Sequence, residues 1–190
     1  MLAARMLNLP NALTLLRFAL VPVIAMQMLD GDFGTACALF LVSAVSDLAD
    51  GQIARRCNLR TRFGAVADPL ADKLTMLTVA LLLAWLQALP WWFAAAVVLR
   101  DVLIVGGALA YHALVGPVEM APSPISKLNT ALEFALLAAV LALQAGWLPD
   151  GVWQPALLAA TLATIVASGT DYVVVWSRKA AGRSAPPRAP

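Results

Sequence analysis

The sequence predicts an all-α integral membrane protein, a bundle of six transmembrane helices with both termini in the cytoplasm. Three observations predict it. Of 190 residues, 62% are hydrophobic and the mean hydropathy is +0.82, whereas soluble domains run nearer ~45–50% apolar. Apolar runs of about twenty residues recur along the whole length, the reach needed to cross a hydrocarbon layer of roughly 30 Å. Basic residues are also segregated. The connectors near residues 30–32, 87–91 and 145–152 hold no Lys or Arg, while those near 55–62 and 115–127, with both termini, hold most of the thirteen. Positive charge stays on the cytoplasmic side.

Residues 1–8 form a short amphipathic lead-in with Arg5 toward water. No basic n-region and small-residue cleavage site precede the first apolar run, so a removable signal peptide is not expected. The first span, 9–29, opens on Pro10-Asn11 and contains Arg17 and Pro22. Asp30-Gly31-Asp32 is a tight polar turn, and the second span runs over 33–56. A basic connector leads to a third span over about 64–89, with Pro69 near its start, where proline is best tolerated. Pro90 marks a turn, and Trp91-Trp92 anchors a fourth span, 91–114, at an interface. A Pro-containing connector precedes the fifth span, 125–145. The sixth covers 152–176. Residues 1–178 read as one membrane domain without an internal repeat, and 179–190 as a disordered basic, Pro-rich tail. Cys37 and Cys57 lack metal-ligand or redox spacing and are packing residues.

Chemistry is concentrated in residues 46–73, SDLADGQIARRCNLRTRFGAVADPLADK, which hold four of the eleven acids. Asp47 and Asp50 are i,i+3 and Asp68 and Asp72 are i,i+4, so each pair lies on one helix face. Facing helices would converge four carboxylates, which repel unless a hard cation lies between them; oxygen-only donors suit Mg²⁺, Mn²⁺ or Ca²⁺. Gly51 and Ala54 extend the first face and leave room for a ligand. Arg55, Arg56, Arg60 and Arg62 suit phosphate. All four acids fall at the cytoplasmic ends of their spans, near headgroup level.

The order D-x2-D-G-x2-A-R-x8-G-x3-D-x3-D, from Asp47 through Asp50, Gly51, Ala54, Arg55, Gly64 and Asp68 to Asp72, resembles the signature of the CDP-alcohol phosphatidyltransferases, with every defining position filled. Six membrane helices are likewise similar to that family. The resemblance implies attack of an acceptor hydroxyl on the β-phosphorus of CDP-diacylglycerol with release of CMP. It implies two divalent metal ions, Mg²⁺ or Mn²⁺, bound by Asp47, Asp50, Asp68 and Asp72, with Asp72 also the catalytic base. Gly51, Ala54, Arg55 and Gly64 would surround the cytidine diphosphate. A metal pair would neutralise charge on the diphosphate and the leaving phosphate, and a carboxylate beside metal can act as base because the metal also acidifies the hydroxyl.

The acceptor is less sharply written. Leu9-Pro10-Asn11 with Thr14 and Arg17 resembles the N-terminal run of both the phosphatidylglycerophosphate synthase and the cardiolipin synthase branches, and Thr61-Arg62-Phe63-Gly64-Ala65 with Asp68-Pro69 looks like the former. Ile125-Ser126-Lys127-Leu128-Asn129-Thr130 with Arg100-Asp101 looks more like the cardiolipin synthases. Glycerol-3-phosphate and phosphatidylglycerol each carry a glycerol hydroxyl beside an anionic phosphate, and Arg100 and Lys127 are the candidate cations for it. Serine or inositol phosphate acceptors are the alternative. Each feature also has a plainer interpretation. Single acids at helix ends are often solvated, and Arg56, Arg60 and Arg62 also serve as a topology signal. Arg100 and Asp101 are adjacent on a helix and so point to different faces, which argues against their mutual bridge. Glu133 and Asp171 are structural polar groups, and His112, without ligand spacing, is interfacial. An intramembrane cation transporter would place acids near the midplane in repeated halves, which the sequence lacks; an inactive scaffold would not require the full acid set. No nucleic-acid motif occurs. The expected setting is the bacterial inner membrane with the site on its cytoplasmic face, and a homodimer is compatible with the resemblance.

Overall fold

The computed structural model describes residues 9–56, 62–114 and 123–183, and the side chains of 14–46, 67–107 and 123–172. They form six helices and no strand: α1 Leu9–Leu29, α2 Phe33–Arg56, α3 Arg62–Trp85, α4 Trp91–Leu114, α5 Pro124–Gln144 and α6 Trp153–Arg183. Order and number match the sequence expectation, with three corrected boundaries, the first being that α3 opens at Arg62 ahead of the expected residue 64. α3 stops at Trp85 rather than near residue 89. α6 continues to Arg183, seven residues beyond the expected end of the span; Ala180 and Ala181 are strong helix formers, and basic residues are favourable in a last turn. The helical stretch thus takes in residues 179–183 of the expected tail, while the lead-in 1–8 and 184–190 lie outside the described residues.

Three helices end in the same way. Gly31 at φ 82° and Gly146 at φ 73° follow α1 and α5 in the left-handed region. Asp32 N donates to Gln27 O at 2.9 Å and Gly31 N to Met28 O at 3.2 Å; Trp147 N donates to Ala142 O at 2.8 Å and Gly146 N to Leu143 O at 2.9 Å. These paired bonds are Schellman closures, which satisfy the last carbonyls of a helix. α3 closes likewise, Ala88 N on Leu83 O at 2.8 Å, but its left-handed residue is Gln87, φ 61°. A side chain there is strained. Gln87→Gly is therefore expected to stabilise the fold by about 1 kcal/mol, as the left-handed penalty is relieved; equilibrium unfolding in detergent would measure it. At the start of α2, the Asp32 carboxylate accepts from Thr35 N at 2.9 Å, an N-cap. That bond holds its carboxyl below the usual carboxylate range.

Contacts group the chain into two compact units, Met1–Trp91 with Leu137–Gly151, and Trp92–Leu136 with Val152–Pro190. In the first, α1 packs against both α2 and α3. Ile24, Met28, Phe40, Val79, Leu83 and Leu141 fill its interior, each at 1% exposure or less. The Trp147 ring packs against α2 at Gly34, 3.4 Å from where a Cβ would stand, an ordinary van der Waals distance. In the second unit the interior is markedly polar: Arg100, Ser126, Asn129, Glu133, Thr161 and Ser168 are buried with Phe93 and Val97. Large apolar side chains face outward instead, among them Leu99, Val102, Leu103, Val105 and Val166.

By length and composition, one described helix, α5, is long and apolar enough to cross a membrane; Thr14–Leu29 and Phe33–Ser46 are shorter apolar stretches.

Candidate active site

α2 and α3 are joined by residues 57–61, so the end of one and the start of the other are tied within a few residues. The predicted constellation falls on these two ends. Asp47, Asp50, Gly51, Ala54 and Arg55 lie in the last turns of α2 and Gly64 in the first turn of α3; their side chains are outside the described residues. Asp68 and Asp72 follow on α3, one turn apart on one face, both partly exposed. Pro69 sits between them, inside the helix rather than at its first turn. Its missing N–H leaves the carbonyl of residue 65 without its helical partner, loosening the backbone ladder beside Asp68. Between the acids, Ala71 is fully buried and Ala67 nearly so. Residues this small allow α3 to lie close to its neighbours.

The described geometry adds two residues to the constellation. Thr14 and Arg17, i,i+3 on α1, both reach Asp68. The Thr14 hydroxyl donates to Asp68 Oδ1, and Arg17 Nη2 donates to the same oxygen at 3.1 Å. Thr14 is 0% and Arg17 1% exposed, while the Asp68 side chain is 35% exposed. An arginine this deep in an apolar helix needs an anion, and Asp68 is one. Sequence alone marked Arg17 as an ionisable residue in an apolar span and Thr14 only as part of a short run. The signal that could have joined them is their one-turn spacing, which aims both at one point on a neighbouring helix.

Oxygen-only carboxylates suit a hard divalent cation, and both described partners of Asp68 fall on Oδ1, leaving Oδ2 available as a donor. Among the described residues no three acidic, His or Cys side chains converge as a metal cage; Asp47 and Asp50, half of the predicted set, are not among those whose side chains are described.

The candidate acceptor cations lie in the second unit. Arg100 of α4 donates through Nη1 to Asp101 Oδ1 at 2.9 Å, and through Nη2 to Ser126 of α5 at 2.7 Å and Ser168 of α6 at 3.2 Å. The sequence argument against an Arg100–Asp101 bridge is thereby corrected. Adjacent Cα–Cβ bonds do diverge, but the flexible arginine stem curls its guanidinium back to the shorter neighbour. Asn129 Nδ2 donates to Glu133 Oε2 at 3.3 Å and Thr164 to Asn129 Oδ1 at 3.0 Å, so Glu133 belongs to a polar network tying α5 to α6. Lys127 is exposed in the first turn of α5. Beside Arg100, α4 and α6 line an open groove of about 420 Å³ with almost wholly apolar walls, including Leu99, Leu103, Leu162 and Ile165. Those walls suit hydrocarbon and not a phosphate.

The family model for CDP-alcohol phosphatidyltransferase matches residues 7–172. A putative cardiolipin synthase of Mycobacterium tuberculosis is 32% identical over 174 residues, covering 91% of this chain and 80% of the relative. A probable phosphatidylglycerophosphate synthase of Mycobacterium tuberculosis is 31% identical over 176 residues, covering 90% and 82%. A probable CMP-forming cardiolipin synthase of Drosophila melanogaster is 33% identical over 147 residues, covering 69% of this chain and 46% of the relative. The chain thus spans about half of the fly protein and most of the mycobacterial ones.

Proposed function

Because this chain belongs to the CDP-alcohol phosphatidyltransferase family, we propose that it builds a glycerophospholipid by moving the phosphatidyl group of CDP-diacylglycerol to a glycerol-type acceptor. The observation that carries the proposal is the acid order of α2 and α3, with Asp68 and Asp72 on one face of α3. Asp47, Asp50, Asp68 and Asp72 would hold two divalent ions, Mg²⁺ or Mn²⁺. Those ions supply charge neutralisation on the diphosphate and acidify the attacking hydroxyl.

The chain's own groups do the rest. Asp72 takes the proton of the acceptor hydroxyl as its oxygen bonds to the β-phosphorus, and the bond from that phosphorus to the CMP phosphate breaks, so that CMP departs. Arg55 suits the diphosphate as a bidentate donor, and Gly51, Ala54 and Gly64 leave the backbone open to the nucleotide. For the acceptor's anionic group we favour Lys127, exposed and flexible, over Arg100, whose guanidinium is buried and engaged by Asp101, Ser126 and Ser168.

The six helices are proposed to cross the bilayer, with the acid-bearing ends at the cytoplasmic headgroup level. Buried polar side chains beneath an outward-facing layer of Leu, Val and Met support this, since hydrocarbon reverses the usual reason for hiding apolar groups. The donor is bilayer-anchored and CMP is soluble, so a site at the interface serves both.

The acceptor is tested with purified protein in detergent, CDP-diacylglycerol and Mg²⁺ or Mn²⁺, offering glycerol-3-phosphate and phosphatidylglycerol separately. CMP with only the first identifies a phosphatidylglycerophosphate synthase, and with only the second a cardiolipin synthase. CMP with neither turns attention to serine or inositol phosphate.

A further inference from the structure

Two buried donors on α1 and one half-buried carboxylate on α3 make an asymmetric arrangement. Thr14 and Arg17 both donate to Asp68 Oδ1, and both donors are at 1% exposure or less. The terminal torsion of an aspartate is broad and nearly two-fold, so a free carboxylate readily exchanges its oxygens. Two donors fixed on one oxygen remove that freedom. They also come from a neighbouring helix, so the carboxylate is held against α1 and not merely by its own backbone.

We propose that Thr14 and Arg17 are positioning residues for a divalent cation, tying down Asp68 Oδ1 so that Oδ2 is presented as a single-oxygen ligand. The proposal rests on Asp68 being a metal ligand. Groups that hydrogen-bond a ligating carboxylate set its orientation, and losing such a partner typically weakens metal binding by about 10–100-fold. Threonine fits this role through one hydroxyl, and arginine through a charge that is permanent at any working pH. A purely architectural ion pair between α1 and α3 would use the same atoms, but it makes a different demand. It requires only that the helices stay together, and is indifferent to cation affinity.

The experiment measures Mn²⁺ binding to the full chain in detergent, without lipid substrate, by the electron paramagnetic resonance signal of free Mn²⁺. Thermal unfolding is followed on the same samples. Thr14→Val removes only the hydroxyl and is expected to weaken Mn²⁺ binding about tenfold, with Thr14→Ser restoring it; Arg17→Met is expected to weaken it by as much as about 100-fold, and Arg17→Lys to recover part of the loss. Should Arg17→Met fail to fold, the Thr14→Val and Thr14→Ser pair decides alone. Parent-like Mn²⁺ affinity in Thr14→Val and Arg17→Lys, with only a lowered melting temperature, would overturn the proposal. Asp68→Asn separates the two levels: unchanged Mn²⁺ binding there removes Asp68 from the metal site itself, whereas lost binding in Asp68→Asn with intact binding in the Thr14 and Arg17 variants removes only the positioning role.

Discussion

Asp72→Asn is expected to lower CMP release by about 10²–10⁴-fold, the range a positioned general base contributes, while CDP-diacylglycerol still binds. The substitution is nearly isosteric, and Asp72 is only partly buried, so the fold should survive it. An amide cannot take the acceptor's proton, and it is also a poorer cation ligand than a carboxylate. Measuring turnover and donor binding on one preparation separates these effects. Loss of both would point to a purely ligating Asp72, and loss of turnover alone to the base. Normal turnover would place the base elsewhere.

The second large effect is on stability. Asp101→Asn should destabilise the protein by about 3–5 kcal/mol, since removing one partner of a buried ion pair leaves the other charge uncompensated. Arg100 is 4% exposed, and its side chain also engages Ser126 of α5 and Ser168 of α6. Removing both charges together, as Arg100→Met with Asp101→Leu, is expected to cost less than Asp101→Asn alone, because an apolar pair of similar volume avoids the desolvation penalty. Reversible unfolding in detergent checks both. A loss under about 1 kcal/mol for Asp101→Asn would mean that the guanidinium finds another partner or reaches solvent.

How far the sequence could be followed differs between elements and contacts. Five of the six helix starts were legible within a residue, because Pro10, the Asp30-Gly31-Asp32 turn, Pro90, Pro124 and the Gly146–Gly151 stretch punctuate the apolar runs. The third was harder. Arg62 opens α3 ahead of the expected residue 64, and Gln87, a residue with no special liking for the left-handed region, closes it. The acid pairs were legible because helical spacing alone puts Asp68 and Asp72 on one face. Contacts between helices were not. Spacing says that Thr14 and Arg17 share a face of α1, but only the rotation of α1 against α3 decides that this face meets Asp68. Arg100 is the sharper case: neighbour geometry argued for divergence, and the length of its side chain outweighed it. The placing of the acids on two joined helix ends was therefore readable from one local stretch, and the contacts of Thr14 and Arg17 with Asp68 only from packing.

The most direct test of the central claim, that the acids of α2 and α3 carry a metal-dependent phosphatidyl transfer, is CMP release from CDP-diacylglycerol by the purified chain before and after chelation. The account predicts that release stops when divalent ions are removed and returns when Mg²⁺ or Mn²⁺ is restored. Release that continues at its original rate in the metal-depleted protein would contradict it.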